Sequence, residues 1–173
     1  LVPGSVLWLL ESNSASKKNL IREAKKLGVD ANRLVFAPKV SSTENLARLK
    51  LADVFLDTFN CNAHTTASDA LWSGVPIVTM LGETFSNRVG GSIISTSGIP
   101  ELITETIDQY IKISIEIGEN KSMLNQFKNK LSDDRDINPL FDTAQYTRNL
   151  EDAYSKMWLN HLSGKHTPFD VNL

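Results

Sequence analysis

Short apolar runs of strand length alternate with segments of helical period up to about residue 100, and this alternation confines the chain to an α/β architecture. Val6-Leu-Trp-Leu-Leu10 is followed by Ser16 to Leu27, where Leu20, Ile21, Ala24 and Leu27 share one face. Lys17, Lys18, Arg22, Lys25 and Lys26 take the solvent side, and Gly28 closes the helix. Leu34-Val-Phe36 reads as a second strand, Thr43 to Leu49 as a short helix capped by Ser42 or Thr43, and Val54 to Leu56 as a third strand. Thr66 to Trp72 is helical and ends at Gly74, Ile77 to Met80 is a fourth strand, and a helix runs through Arg88 and Val89. The order predicts a Rossmann-like parallel sheet with helices on both faces. From about residue 104 to 165 helices take over, through Tyr110 to Gly118, Lys121 to Leu131 and Gln145 to Leu162. In the last, Tyr146, Leu150, Ala153, Met157 and Leu162 form a stripe expected to dock on the sheet.

With 173 residues, 41% of them hydrophobic, residues 1–173 form a single domain with one substantial core. The net charge of -2 supplies no basic field to gather nucleic acid or anionic lipid. No apolar run approaches the ~20 residues of a membrane span, and the one cysteine, Cys61, has no partner for an internal disulfide, so a cytoplasmic chain is expected. Leu1-Val-Pro-Gly-Ser5 lacks an initiator Met and the pattern of a signal peptide, so the chain reads as a domain excised from a longer protein. Pro3-Gly4 suits a turn into the first strand better than a linker scar.

One loop stands out. CNAHTTASDALWSG, residues 61 to 74, lies where the third strand hands over to a helix, the position at which open parallel sheets bind ligands. Thr65 and Thr66 fall at the expected helix start, where free backbone N–H groups and the dipole favour an anion, and His64 adds a donor. Small Ala63 and Ala67 permit close approach. A second interpretation fits equally well: Thr66-Ala-Ser-Asp69 is a capping box with Asp in place of Glu or Gln, and needs no ligand. No glycine-rich dinucleotide loop, Walker lysine, CxxC or HExxH motif occurs, and Asp133-Asp134 reads as a solvated turn between helices.

The run LADVFLDTFNCNAHTTASDALWSGVPIVTMLGETFSNRVGGS, residues 51 to 92, resembles the nucleotide-sugar half of the O-GlcNAc transferase family, with its bacterial relatives. LADxxLDT, NAHTT, DALWSGVPIVT and GETFxxRV occur in the family's order and spacing, and similarity extends from SVLWLL to QYTRNLEDAYSKMW. The resemblance implies the C-terminal, donor-binding domain of a GT-B glycosyltransferase, with UDP-GlcNAc as donor, neither cofactor nor metal, and serine or threonine hydroxyls of proteins as acceptors. It implies diphosphate and sugar contacts from His64, Thr65 and Thr66, and a ribose contact from Asp69. Cys61 and Asn62 match the loop just before, Cys61 as a packed pocket-wall position. Val40 matches a backbone position near the uracil and Arg48 a basic residue near the base.

Two positions depart from the pattern. Asn45 stands where many members have a histidine beside the uracil, and Ser42 where the animal enzymes have a lysine. An amide still hydrogen-bonds but lacks the imidazole face, which leaves the base open; Asn45 reads equally as a helix-surface residue. In the family, a lysine that neutralises the departing diphosphate lies upstream of the first strand, and further contacts come from the N-terminal GT-B half and from helical repeats. None of these is in residues 1 to 173, and no residue here is identified as the catalytic base. The implied reaction is inverting transfer, with this fragment alone inactive. Two other readings keep the fold: a SPINDLY-like transferase using GDP-fucose, against which His64 argues, and a degenerate interaction module marked by Asn45 and Ser42.

Overall fold

The computed structural model describes residues 2–170; Leu1 and residues 171–173 lie outside them. Strands β1 (Leu7–Leu10) and β2 (Leu34–Ala37) pair in parallel, Leu7 opposite Leu34, joined by helix α1 (Ser14–Lys26). The Asn13 side chain caps α1 by accepting from the Ser16 N–H, and Gly28 leaves the helix at φ 74°, a conformation open to glycine. Helix α2 (Ser42–Leu49) is capped by Ser41, not by Ser42 or Thr43: Ser41 Oγ accepts from Glu44 N–H while the Glu44 carboxylate takes the Ser41 N–H. The expected cap is one residue late because the Ser41-Ser-Thr-Glu44 spacing, not proximity to the apolar run, decides which hydroxyl closes the box.

Strands β3 (Phe55–Leu56), β4 (Ile77–Met80) and β5 (Ile103–Thr104) form a second parallel group in that order. A single continuous sheet is therefore not formed. β3 has two residues, and the N–H groups of Phe55 and Asp57 go to Pro76 and Val78 on the β4 side, leaving little strand to carry a ladder to β1. β5 is a strand the sequence did not mark, at the edge of the region from about residue 104 where helices take over: Thr79 pairs with Ile103 and Met80 with Thr104. Two residues between a 3₁₀ turn and a helix leave no periodicity to read.

The core centres on β4. Ile77, Val78 and Thr79 are successive residues with no exposed surface, and successive strand side chains point to opposite faces, so both faces are covered. The covering helices are α3 (Thr65–Trp72), α4 (Val89–Thr96) and α5 (Ile107–Glu119), which supply Ala67, Ala70, Leu71, Ile94, Tyr110 and Ile117, with Leu124 and Leu131 from α6 (Lys121–Asp133). By contrast α1 and α2 bury no residue completely.

Helix α7 (Thr143–Leu162) overturns the docking expectation. It buries no residue, and Tyr146, Met157 and Leu162 are 65%, 52% and 64% exposed. The sheet faces around β4, where the core lies, are occupied by α3, α4 and α5 and not by α7. Asp133 ends α6 and Asp134 caps it, which agrees with the reading of the acid pair as an interhelical turn.

Candidate donor site at the start of helix α3

The loop from Asp57 to His64 leaves the carboxyl end of β3 and delivers the chain to α3. Its shape follows from one buried carboxylate. Asp57 Oδ1 accepts from Thr58 N–H at 2.8 Å and from Ala63 N–H at 2.7 Å, so the loop returns to the strand end just before the helix starts. Thr58 Oγ1 donates to the Cys61 carbonyl at 2.5 Å and Asn62 Nδ2 to the Thr58 carbonyl at 2.9 Å, filling the turn from inside. Asn62 is buried, its N–H donates to the Ser86 carbonyl at 2.8 Å, and among the described residues its Oδ1 has no hydrogen-bond partner.

His64 occupies the N-cap position of α3 at φ -106°, ψ -95°, and no side chain caps the helix. The capping box Thr66 to Asp69 is thus not formed: His64 takes the N-cap position, and Thr66, the second residue inside α3, is not placed to cap it. Ala67 and Ser68 N–H groups bond the His64 carbonyl. The N–H groups of Thr65 and Thr66 precede the first intrahelical bond, and among the described residues neither threonine hydroxyl has a partner. His64, Thr65 and Thr66 are exposed and Asp69 is half-buried one turn on. The result is an open helix start that presents N–H and O–H donors to solvent at the positive end of a dipole, an arrangement that suits an anion.

Cys61 sits at a wall position but without the expected packing. It is exposed, not packed, and lines an open depression with Asp57, Thr58, Phe59 and Asn60. Val40, Asn45 and Arg48 sit apart, at the carboxyl end of β2 and on α2. There the Arg48 guanidinium donates to Asn45 Oδ1 at 3.1 Å and to the Pro38 carbonyl at 2.7 Å, 5.6 Å from the Trp8 ring centroid. Among the described residues no hydrogen bond links this group to the α3 start. Ser73 Oγ on the Leu46 carbonyl, 3.2 Å, joins the far end of α3 to α2.

Two residues outside the expected set bear on the site. Asp57 shapes the loop; its signal was the LADxxLDT run itself, an acid at the end of an apolar strand where a solvated turn residue is the ordinary reading. Phe85, 81% exposed, stands edge-on to the His64 ring with centroids 6.2 Å apart. It belongs to the GETFSNRV segment, whose 3₁₀ turn also supplies the Ser86 carbonyl to Asn62. Among the described residues no group of three or more His, Cys, Asp or Glu is placed to hold a metal, and no helix is long and apolar enough to cross a membrane.

Parallel strands covered by helices, with ligand-facing donors at a strand's carboxyl end, define a Rossmann-like α/β unit. A point mutant of the Thermobaculum terrenum O-GlcNAc transferase superimposes on 88% of the chain with a TM-score of 0.84 and 31% identity, so the unit is of the GT-B kind. The glycosyl transferase family 41 model matches residues 1–150, and the chain belongs to that family. It is 37% identical over 163 residues to the UDP-N-acetylglucosamine–peptide N-acetylglucosaminyltransferase of Caenorhabditis elegans, covering 94% of this chain and 14% of the relative. It is also 37% identical over 165 residues to the probable enzyme SEC of Arabidopsis thaliana, covering 95% of this chain and 17% of the relative. A Petunia hybrida SPINDLY protein is 31% identical over 140 residues, 80% of this chain. The chain therefore spans less than a fifth of these relatives and 30% of the solved transferase.

Proposed function

We propose that this chain is the donor-binding part of a peptide O-N-acetylglucosaminyltransferase, holding UDP-GlcNAc by its diphosphate at the start of α3. The observation that carries the reading is the uncapped helix start, with His64 as N-cap and the Thr65 and Thr66 donors free. Asp69 lies one turn in, suited to a ribose hydroxyl, while Val40, Asn45 and Arg48 are assigned to the base and Asn62 and Cys61 to the loop beneath the sugar.

In the reaction proposed, a serine or threonine hydroxyl of the acceptor protein attacks the anomeric carbon, forming the new C–O bond with inversion as the bond to the β-phosphate oxygen breaks. The electron pair leaves on UDP and the hydroxyl proton passes to a base. Charge growing on the leaving diphosphate is stabilised by the Thr65 and Thr66 N–H groups, their hydroxyls and the imidazole, all fixed before the reaction and requiring no metal. The N-terminal GT-B half and helical repeats of the same polypeptide complete the cleft. Without them positioning and water exclusion are lost, so the isolated chain binds nucleotide but does not turn over.

Ligand-observed NMR with UDP, UDP-GlcNAc and GDP, repeated on the Thr65→Ala, Thr66→Ala double variant, tests the reading. UDP and UDP-GlcNAc are expected to bind, GDP at least tenfold more weakly, and the double variant to lose at least tenfold, about 1.4 kcal/mol. Preference for GDP would favour a SPINDLY-like GDP-fucose transferase, and binding of no nucleotide at millimolar concentration would favour an interaction module.

A further inference from the structure

We infer that Asp57 is the positioning residue of the α3 site, and that it acts through where it holds the chain and not through its charge; this rests on the diphosphate reading above. Four elements converge on this one residue. Its Oδ1 takes the Thr58 and Ala63 N–H groups, and its Oδ2 accepts from Thr79 Oγ1 of β4 at 2.7 Å. Its carbonyl accepts from the Tyr110 hydroxyl of α5 at 3.0 Å, and Thr79 is fixed in turn by the Thr104 hydroxyl on its carbonyl, 2.8 Å. From α4, Gly90 packs so closely that a Cβ there would lie 2.5 Å from Asp57 Oδ2. The carboxylate is 4% exposed, and among the described residues no Lys or Arg forms an ion pair with it.

The sign of that charge is the informative part. A negative carboxylate bonded to Ala63, two residues before Thr65, opposes an anion at the same helix start. A site selected for electrostatics alone would not put one there. What the residue supplies is geometry: Oδ1 holds the Thr58 N–H at the start of the loop and the Ala63 N–H at its end, bringing Ala63 back to the strand end, where His64 takes the N-cap position before the exposed Thr65 and Thr66. Asparagine meets the same requirement. Its carbonyl oxygen accepts the two N–H groups, and its amide donates to Thr79 Oγ1, whose hydroxyl serves as acceptor as readily as donor. Alanine meets none of it.

The test uses Asp57→Asn and Asp57→Ala in the 173-residue chain, with UDP affinity measured alongside the hydrogen-exchange rate of the Ala63 amide. Asp57→Asn is expected to keep Ala63 protected and UDP affinity within threefold of the unsubstituted chain, or tighter, since the opposing charge is gone. Asp57→Ala is expected to lose Ala63 protection and at least tenfold in affinity. If Asp57→Ala does not fold, Thr79→Val replaces it: it leaves both Oδ1 bonds but frees Oδ2, and a loss of threefold or more with faster Ala63 exchange is expected. Asp57→Asn losing affinity as Asp57→Ala does would overturn the inference in favour of charge. A folded Asp57→Ala with unchanged affinity would reduce Asp57 to a stability role. If the unsubstituted chain binds no UDP, the donor-site reading fails by itself, and the exchange data still decide whether Asp57 holds the loop: equal Ala63 rates in all variants would refute it.

Discussion

Replacing Gly90 by alanine separates local propensity from the packing around Asp57. On propensity alone the change within α4 stabilises by about 1 kcal/mol, because glycine is a poor helix residue. The structure predicts the opposite sign. The added methyl would sit 2.5 Å from Asp57 Oδ2, 3.0 Å from Thr79 Oγ1 and 3.2 Å from Asn62 Cβ, in a fully enclosed place. Pushing neighbours apart costs about 1–3 kcal/mol. If Asp57 swings away instead, its bond to Thr79 is lost, a hydrogen bond to a charged group worth about 1.5–3 kcal/mol. Against the propensity gain the net loss is about 1 kcal/mol, which for a chain of this size is roughly a 2–4 °C fall in Tm. Gly118, in α5, is the contrast. A Cβ there meets only the ends of the Val2 side chain, at 3.0 and 3.3 Å, which rotate away, so Gly118→Ala is expected to be neutral or to stabilise by up to about 1 kcal/mol. Urea unfolding followed by far-ultraviolet circular dichroism measures both. Gly90→Ala as stable as the unsubstituted chain, with an unchanged m-value, would refute the packing argument.

Two further predictions follow from titrating groups. The Glu44 carboxyl is held below its ordinary value of 4.5 by the Ser41 side-chain hydrogen bond first and the Ser41 backbone bond second. The folded value being depressed, its contribution to α2 is complete above pH 4.5 and fades as pH falls through the lower folded value; amide shifts of α2 should follow this, and Glu44→Gln should flatten it. The Tyr110 phenol is pushed upward by burial first and the Asp57 charge second. Its raised value stabilises the fold fully below pH 10, and the contribution is lost as pH rises beyond it, so one tyrosine should ionise only as the chain unfolds. Tyr110→Phe should abolish that step in an ultraviolet titration and cost about 1 kcal/mol through the bond to the Asp57 carbonyl.

The parts of the fold legible in the sequence are those where a single run carries its own signal. Ile77 to Met80 reads as a strand because it is apolar throughout, and it is apolar throughout because both its faces are covered. Glycines close α1 and α3 where expected, at φ 74° for Gly28 and 78° for Gly74. Capping shows where such reading succeeds and fails. Ser41 and Thr106 are the N-cap residues of α2 and α5 and form the reciprocal bonds with Glu44 and Gln109, while Thr66 lies inside α3 and forms none with Asp69. Which residue takes the N-cap position decides whether a box closes, and at α3 the Thr65 and Thr66 N–H groups are left outside the intrahelical bonding. What stayed hidden depends on partners distant in sequence. β5 exists because Leu81 N–H finds the Thr104 carbonyl, and Asp57 matters because Ala63, Thr79, Gly90 and Tyr110 reach it from four other segments.

The site and the core are consequently the same structure read from two ends. Thr79 lies at the centre of the buried layer, and its hydroxyl ends on Asp57; Asp57 ends on Ala63; and Ala63 precedes the first exposed donors of the candidate site. Two hydrogen bonds through the buried Asp57 carboxylate connect β4 to the helix start that faces solvent. The half of the chain assigned to the base is built differently. Asn45 and Arg48 are held to each other and to the Pro38 carbonyl, on a helix that buries nothing completely and beside a strand pair that exposes Leu7, Leu10 and Val35. If the donor reading proposed above holds, the firmly held α3 start and the loosely anchored α2 end predict that nucleotide affinity comes chiefly from the diphosphate, with discrimination among bases the property more readily altered by substitution.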